Sequence, residues 1–370
     1  MKYSFKILIL VPGSKARGGI ASYYQSLKAY FPDNILYLQR GSRNWPKRNN
    51  IILEFIRAAI DLFKFVYILL KENIDLVQTN TSFSSNAVFR DGLYLLISKL
   101  INKKVVVFFH GWDYNFVNKL NRFYKKLFKL LFFNSDAIID LTKDNKSNLI
   151  EWGYTKNIYL ETTAVADNFM NAANYEIIQN KYNSPIDKIN LLFLARLDKE
   201  KGLYEAINVF NLLNKSDRRF KLIIAGDGNE FDNAREYVLV NKIDGIEFLG
   251  YVDGEVKLKT YQNSHIYLFP SYSEGMPTSV LEAMACGLPI LTTRVGGLVD
   301  FFQEGNNGYF IDRNNLLDIK ERIISLSNDE RHLGEISKYN YNYARQNFSA
   351  KKVASRIISI FEEILKNKEY

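Results

Sequence analysis

Apolar residues in this chain follow two rhythms. Short continuous runs, such as ILILV at 7–11 and INLLFL at 189–194, are bounded by Gly, Pro, Asn or Asp. Between them lie longer stretches with apolar positions every three or four residues. Short runs suit strands covered on both faces, and their alternation with helical stretches is the signature of βαβ units and parallel sheets. The first half is predicted to hold strands at 5–11, 35–38, 74–78, 104–109, 136–140 and 157–160. Helices are predicted between them, near 20–31, 52–71, 86–102, 117–133 and 143–152. The stretch 168–187 is polar, Asn-rich and without strong period, and reads as a connection. The pattern then restarts, with strands at 189–194, 220–225, 245–249, 266–269, 289–293 and 308–311. Helices are predicted at 202–214, 230–241, 253–262 and 278–286, then over most of 315–367.

Two consecutive α/β domains follow, which suits 370 residues at roughly 100–200 per domain. Residues 1–168 form the first, 169–187 the linker and 188–348 the second. Open parallel sheets bind ligands beyond the carboxyl ends of their strands, so the site is expected in a cleft between the two sets of strand ends.

Composition narrows the classes. With 47% hydrophobic and 24% charged residues, the chain is neither disordered, collagen-like nor coiled coil. One cysteine, Cys286, excludes a disulfide framework and a cysteine metal cluster, and fits a reducing cytoplasm. The three histidines, His110, His265 and His332, show no metal-ligand spacing. The run at 7–11 is too short for a signal peptide, and Glu54, Arg57, Asp61 and Lys64 interrupt 53–70, so no bilayer-spanning segment is expected.

The net charge of +9 is uneven: residues 1–168 carry 24 Lys and Arg against 13 Asp and Glu. Such a surplus suits nucleic acid or a membrane surface. In helical projection Lys119, Arg122, Lys125, Lys126 and Lys129 share one arc of 117–133, opposite Leu120, Phe123, Leu127, Leu130 and Leu131. That arc is a candidate contact with an anionic membrane, or simply a solvated face. No nucleic-acid motif is present.

The chemistry concentrates in PSYSEGMPTSVLEAMACGLPILTTRVGG, 270–297. Pro277 suits the first turn of a helix and Gly287 its end. The free N–H groups of Met276, Thr278 and Ser279 would then open an anion site. Glu274 precedes it, and Glu282 lies up to about 12 Å further along the axis. A diphosphate carrying a polyhydroxylated ring at each end, as in a nucleotide sugar, fits that arrangement. A capping Glu and a solvated Glu fit the spacing equally. Arg196 and Lys201, at a strand end and a helix start, can neutralise a diphosphate or be plain surface cations. Gly226-Asp227-Gly228 and Gly18-Gly19 allow close backbone approach or serve as tight turns. His110, at the end of a buried strand, is a site candidate or a structural histidine.

Together these segments resemble the signature of retaining GT-B glycosyltransferases, family 4. SEGMPTSVLEAMACGLPILTTRVGG, ARLDKEKG, IAGDG, FLGYV, FPS, EGNNGYFI, RGGI and FHGWD occur in that family's order. The resemblance implies two Rossmann-like parallel-sheet domains facing across a cleft, the first completed by a C-terminal helix at about 349–370. It implies that Arg196 and Lys201 bind the donor diphosphate with Gly18 and Gly19, and that Glu282 holds the ribose. Glu274 would hold the donor sugar, with Gly275, Met276, Pro277 and Thr278 lying on sugar and phosphate. Gly226, Tyr251 and Val252 would wall the base, and His110 would contact the sugar near the reacting carbon. Where the family often has Asn-Gly-Val-Asp, this chain reads Thr163-Ala164-Val165-Ala166-Asp167. The implied activity is metal-independent, retaining transfer from a nucleotide-diphosphate sugar, UDP-sugar foremost, to a saccharide or lipid-linked acceptor. It needs no cofactor and is placed in the cytoplasm or peripherally on the inner membrane face, in surface polysaccharide or glycolipid synthesis. Alternatives are a nucleotide-sugar epimerase, a phosphorylase-like enzyme and a non-catalytic nucleotide-binding protein.

Overall fold

The computed structural model describes residues 5–13, 18–41, 51–83, 85–112, 117, 122–182 and 186–366. The chain divides into two compact units, one running to Ala164 and including the helix Ala350–Lys366, the other spanning Val165–Ser349. Each holds a six-stranded, all-parallel sheet. The first is built from β1 (Ile7–Val11), β2 (Ile35–Gln39), β3 (Leu76–Phe83), β4 (Lys104–Trp112), β5 (Ala137–Asp140) and β6 (Asn157–Leu160), in the order β2-β1-β3-β4-β5-β6. The second contains β7 (Ile189–Leu194), β8 (Phe220–Ala225), β9 (Ile246–Gly250), β10 (Ile266–Phe269), β11 (Ile290–Thr292) and β12 (Gly308–Phe310), in the order β12-β11-β10-β7-β8-β9.

The short apolar runs are buried because parallel strands have helices on both faces. Every residue of β1, β5, β10 and β11 is buried. In each sheet the first strand lies between later ones, so successive connections leave in opposite directions and open a switch point at the strand ends. No described helix is long and apolar enough to cross a membrane.

The structure corrects three expectations. The segment read as a linker packs into the second unit as two helices, Asp167–Ala172 and Tyr175–Asn180. Six-residue helices are too short to show a period, and their asparagines act as caps: Asn174 accepts from the Glu176 N–H at 2.8 Å. Met170, Ala173 and Ile178 are buried, and Arg345 donates to the carbonyls of Ala173, at 2.9 Å, and Met170. The tail is helical over most of 315–367 as expected, in three helices, Leu316–Ser327, Glu330–Asn347 and Ala350–Lys366, separated where Asp329 caps the His332 N–H at 2.9 Å and where Phe348 accepts from the Val165 N–H at 2.8 Å.

Pro277 is the N-cap of Thr278–Ala285, one position before the first turn. On Arg122–Phe132 the buried positions are Phe128 and Phe132, whereas Phe123 and Leu130 are exposed. Lys125 lies over the Trp152 ring at 4.8 Å rather than on a free basic arc. Lys119 and Leu120 fall outside the described residues.

The helix Ala350–Lys366 is held to the first unit by Arg356, which pairs with the buried Glu161 at 2.6 Å, and by Lys104, which donates to the Ile364 carbonyl at 2.6 Å. Arg356→Ala should leave Glu161 buried with an unpaired charge, at a cost of about 1.5–3 kcal/mol. Denaturant titration should show that loss, and an unchanged midpoint would rule out this clasp.

Candidate functional site

In the second unit the loops after β7 and β10 are stitched together. The Glu200 carbonyl accepts from the Tyr272 N–H at 2.8 Å, and Ser271 Oγ lies 3.2 Å from it. Gly202 adopts φ +80°, and a Cβ there would lie 2.1 Å from the Pro270 carbonyl oxygen, so only glycine fits. This contact brings Lys201 to Glu274. Its Nζ donates to Glu274 Oε1 at 2.6 Å, and Ser271 Oγ donates to the same oxygen at 2.7 Å. Glu274 is only 10% exposed. Lys201 closes a single turn, Lys199–Lys201, rather than starting the following helix, Leu203–Ser216, which begins one residue later than predicted.

Arg196 follows β7 with its side chain 72% exposed, and its nearest partner is Asp198 at 3.5 Å. A weakly held guanidinium is available to a ligand. The helix Thr278–Ala285 starts without a side-chain cap, so its first N–H groups add a partial positive charge beside Glu274. Met276 and Pro277 are buried, with Gly275 and Thr278 partly exposed at the mouth. Gly275 is held from behind: its carbonyl accepts from the Gly297 N–H at 2.7 Å, and a Cβ on Gly296 would sit 2.3 Å from the same oxygen.

Glu282 faces a different neighbourhood. Lys257 Nζ donates to Oε1 at 2.7 Å, and the buried Tyr261 hydroxyl lies 3.1 Å from both Oε2 and the Ser279 carbonyl. Burial, reinforced by Glu282, pushes the Tyr261 phenol far above its ordinary pKa, so it stays a donor. Gly226 is required by the backbone itself, since a Cβ would lie 1.9 Å from the Ala195 carbonyl oxygen. Its N–H donates to the Gly250 carbonyl at 2.7 Å, which places half-exposed Tyr251 and buried Val252 next to this loop.

In the first unit His110 lies within β4, which continues two residues past it. Its Nε2 is 2.9 Å from Asn80 Oδ1. The orientation of Asn80 is fixed because Nδ2 donates to the Leu10 carbonyl at 2.8 Å, while Tyr24 and Gln78 donate to Oδ1 at 2.8 Å each. An amide oxygen only accepts, so Nε2 carries the hydrogen and Nδ1 keeps a lone pair. Burial, and secondarily the charge of Arg40, lower the His110 pKa to about 3. The ring stacks on Phe108 at 3.9 Å and meets Tyr23 edge-on at 5.3 Å. Gly18 takes φ +147° to start the helix Gly19–Leu27, and among the described residues nothing lies within 4 Å of where a Cβ would stand on either glycine. Residues 14–17, including the arginine of RGGI, lie outside the described residues.

Residues 174–345 match the family described as Glycosyl transferases group 1. They form a Glycosyl transferases group 1 domain. The chain is 28% identical over 335 residues to an uncharacterized glycosyltransferase of Methanocaldococcus jannaschii, covering 87% of this chain and 82% of that protein. It is 27% identical over 264 residues to the N,N'-diacetylbacillosaminyl-diphospho-undecaprenol alpha-1,3-N-acetylgalactosaminyltransferase of Campylobacter jejuni, covering 69% and 68%. The structure of Anabaena Alr3699/HepE in complex with UDP superposes with a TM-score of 0.74 at 17% identity, over 97% of this chain and all of that one. These two parallel-sheet units are a GT-B fold, and the chain is a homologue of glycosyltransferases.

Within the glycosyltransferase domain, the structure joins Lys201 to Glu274 and keeps Glu282 apart in the company of Lys257 and Tyr261. Lys257, Tyr261, Ser271 and Gly296 were not singled out from sequence. Lys257 and Tyr261 stand four apart on Gly254–Gln262, a spacing that places both on one helix face. Asn80, on a strand read only to residue 78, was missed because its role depends on β3 pairing with both β1 and β4. Among the described residues no cluster of three His, Cys, Asp or Glu could hold a metal ion.

Nitrogen-15 NMR should find His110 with Nε2 protonated and Nδ1 bare at neutral pH, with His110→Gln identifying the signal. Asn80→Ala should mix the tautomers. A protonated Nδ1 in the unsubstituted protein would contradict the Asn80 contact.

Proposed function

We propose that this chain is a retaining glycosyltransferase. It moves a sugar from a nucleotide-diphosphate donor, a UDP-sugar foremost, to the hydroxyl of a saccharide or lipid-linked saccharide, on the cytoplasmic side of surface polysaccharide or glycolipid synthesis. The observation that carries this reading is the Lys201–Glu274 pair beside an uncapped helix start. A cation, a carboxylate and a helix start without a side-chain cap in one small area match a sugar phosphate: the phosphate takes Lys201 and the positive end of the helix, and the sugar hydroxyls take Glu274. Arg196, close by after β7, adds a fork for the second phosphate, and Glu282 accepts from the ribose diol.

The bond between the anomeric carbon and the diphosphate oxygen breaks with its electrons leaving to the phosphate. Lys201, Arg196 and the helix start stabilise the charge that grows there. The acceptor oxygen attacks the same face, and its proton passes to the departing phosphate oxygen. The configuration is therefore retained. His110, neutral and with a bare Nδ1, can accept a hydrogen bond from a sugar hydroxyl without adding positive charge.

A panel of nucleotide sugars, read by nucleotide release and by the anomeric configuration of the product, tests the reading; release from none of them, or inversion, would overturn it. Glu274→Ala should lower turnover and Glu282→Ala should mainly raise the donor KM. Each should cost about ten- to a hundredfold, the worth of a hydrogen bond to a charged group. Near-normal kinetics in both would move the site elsewhere. No Asp-x-Asp occurs in the chain and cations already meet the diphosphate, so activity should survive EDTA. Loss that manganese or magnesium restores would contradict the role given to Arg196 and Lys201.

A further inference from the structure

The first unit carries an outward surface that its own fold leaves uncovered. The helix Ile51–Lys71 buries Phe65 and Leu69 against the sheet, yet its opposite side is also apolar. Ile52, Phe55, Ile56, Phe63, Tyr67 and Leu70 are each at least 50% exposed, and Phe63 reaches 81%. Their spacing of three, four and seven forms one stripe about 27 Å long.

The stripe does not stand alone. The connections from β2 to β3, β3 to β4 and β4 to β5 all step across the sheet in one direction, and right-handed crossovers then put their helices on one face. Ring contacts join the three helices side by side: Phe65 to Tyr94 at 4.9 Å, and Phe89 to Tyr124 at 6.0 Å. Ser85–Leu100 turns Phe89, Leu93, Leu96 and Leu100 outward, and Arg122–Phe132 does the same with Phe123 and Leu130. A layer of three helices is thus apolar on both sides, well beyond the scattered exposed residues usual on a monomer.

Charge decides what covers it. Lys64, Lys71, Arg122 and Lys126 are exposed around the apolar rows. Of the acids on these helices, Asp61 and Asp91 are buried, and Glu54 is paired with Arg57 at 2.7 Å. A second copy meeting this face symmetrically would oppose cation to cation. An anionic bilayer would take the aromatic and aliphatic side chains at the headgroup boundary and the cations at its phosphates. We propose that the outer face of the three-helix layer, centred on Phe55, Phe63 and Tyr67, is a docking surface for an anionic lipid membrane. This places the contact mainly on Ile51–Lys71 rather than on the basic arc of 117–133, and it stands independently of the transferase chemistry.

The test uses the full chain with phosphatidylcholine vesicles and with vesicles containing phosphatidylglycerol, by co-sedimentation at low and high salt. The unsubstituted protein should bind only the anionic vesicles, more weakly in salt. Phe55→Ser with Phe63→Ser and Tyr67→Ser should reduce binding at least about tenfold, and Lys64→Ser with Arg122→Ser and Lys126→Ser should remove the anionic preference. Because Cys286 is fully buried, Phe63→Cys can carry an environment-sensitive dye, whose emission should shift to the blue on anionic vesicles. Three results would overturn the proposal: no binding at low salt, an unshifted dye, or a dimer in light scattering that the aromatic substitutions abolish.

Discussion

The second unit depends on a close approach between two loops that leave neighbouring strands in opposite directions. β7 and β10 pair in the sheet although 71 residues of chain separate their ends. Gly202 against the Pro270 carbonyl is the tightest point of that approach. Any side chain there would push the loops apart and with them Lys201 and Glu274. The Glu200 carbonyl, bonded by the Tyr272 N–H, fixes the same distance by attraction. Steric necessity and hydrogen bonding thus set one geometry, and the charged pair forms as its result.

The two carboxylates are tuned by what surrounds them. Glu274 shares one oxygen between Lys201 and Ser271, so a ligand that draws Lys201 toward phosphate frees acceptor capacity for sugar hydroxyls. Glu282 is clamped from two sides by Lys257 and Tyr261, which leaves it stationary. In the proposed reading, the carboxylate that exchanges partners takes the reacting end of the donor and the one held from two sides takes its anchored end. Glycine positions 226, 228 and 296 serve the same purpose at the backbone, each admitting a carbonyl where a methyl group would collide.

Much of this was legible in the sequence. Buried strands such as VVVFF and INLLFL announce themselves because parallel sheets require apolar residues on both faces, and the twelve strands among the described residues lie where the runs were found. The motif residues of the second unit were legible as types: a Pro at a helix start, two Glu, a Lys-Gly at a turn. Partnerships were not. Lys257 meets Glu282 across 25 residues and Asn80 meets His110 across 30, distances at which local spacing carries no information. The segment 168–187 was misread because helices of six residues offer too few turns for periodicity, so its caps looked like loop composition. The exposed apolar side of Ile51–Lys71 was not read because Glu54, Arg57, Asp61 and Lys64 recur every few residues and suggest an ordinary amphipathic helix with a polar outer side.

The return of Ala350–Lys366 to the first unit has a consequence for the order in which the molecule can be completed during synthesis. Domains usually fold as they leave the ribosome, amino-terminal first. Here the first sheet emerges early, but the helix that closes it is separated from it by the whole glycosyltransferase domain. Until Arg356 arrives, Glu161 lacks its cation and the surfaces of Gly19–Leu27 and Lys28–Tyr30 that meet the helix Ala350–Lys366 stay wet. The second unit can be finished while the first is still open, so the chain matures from its middle outward.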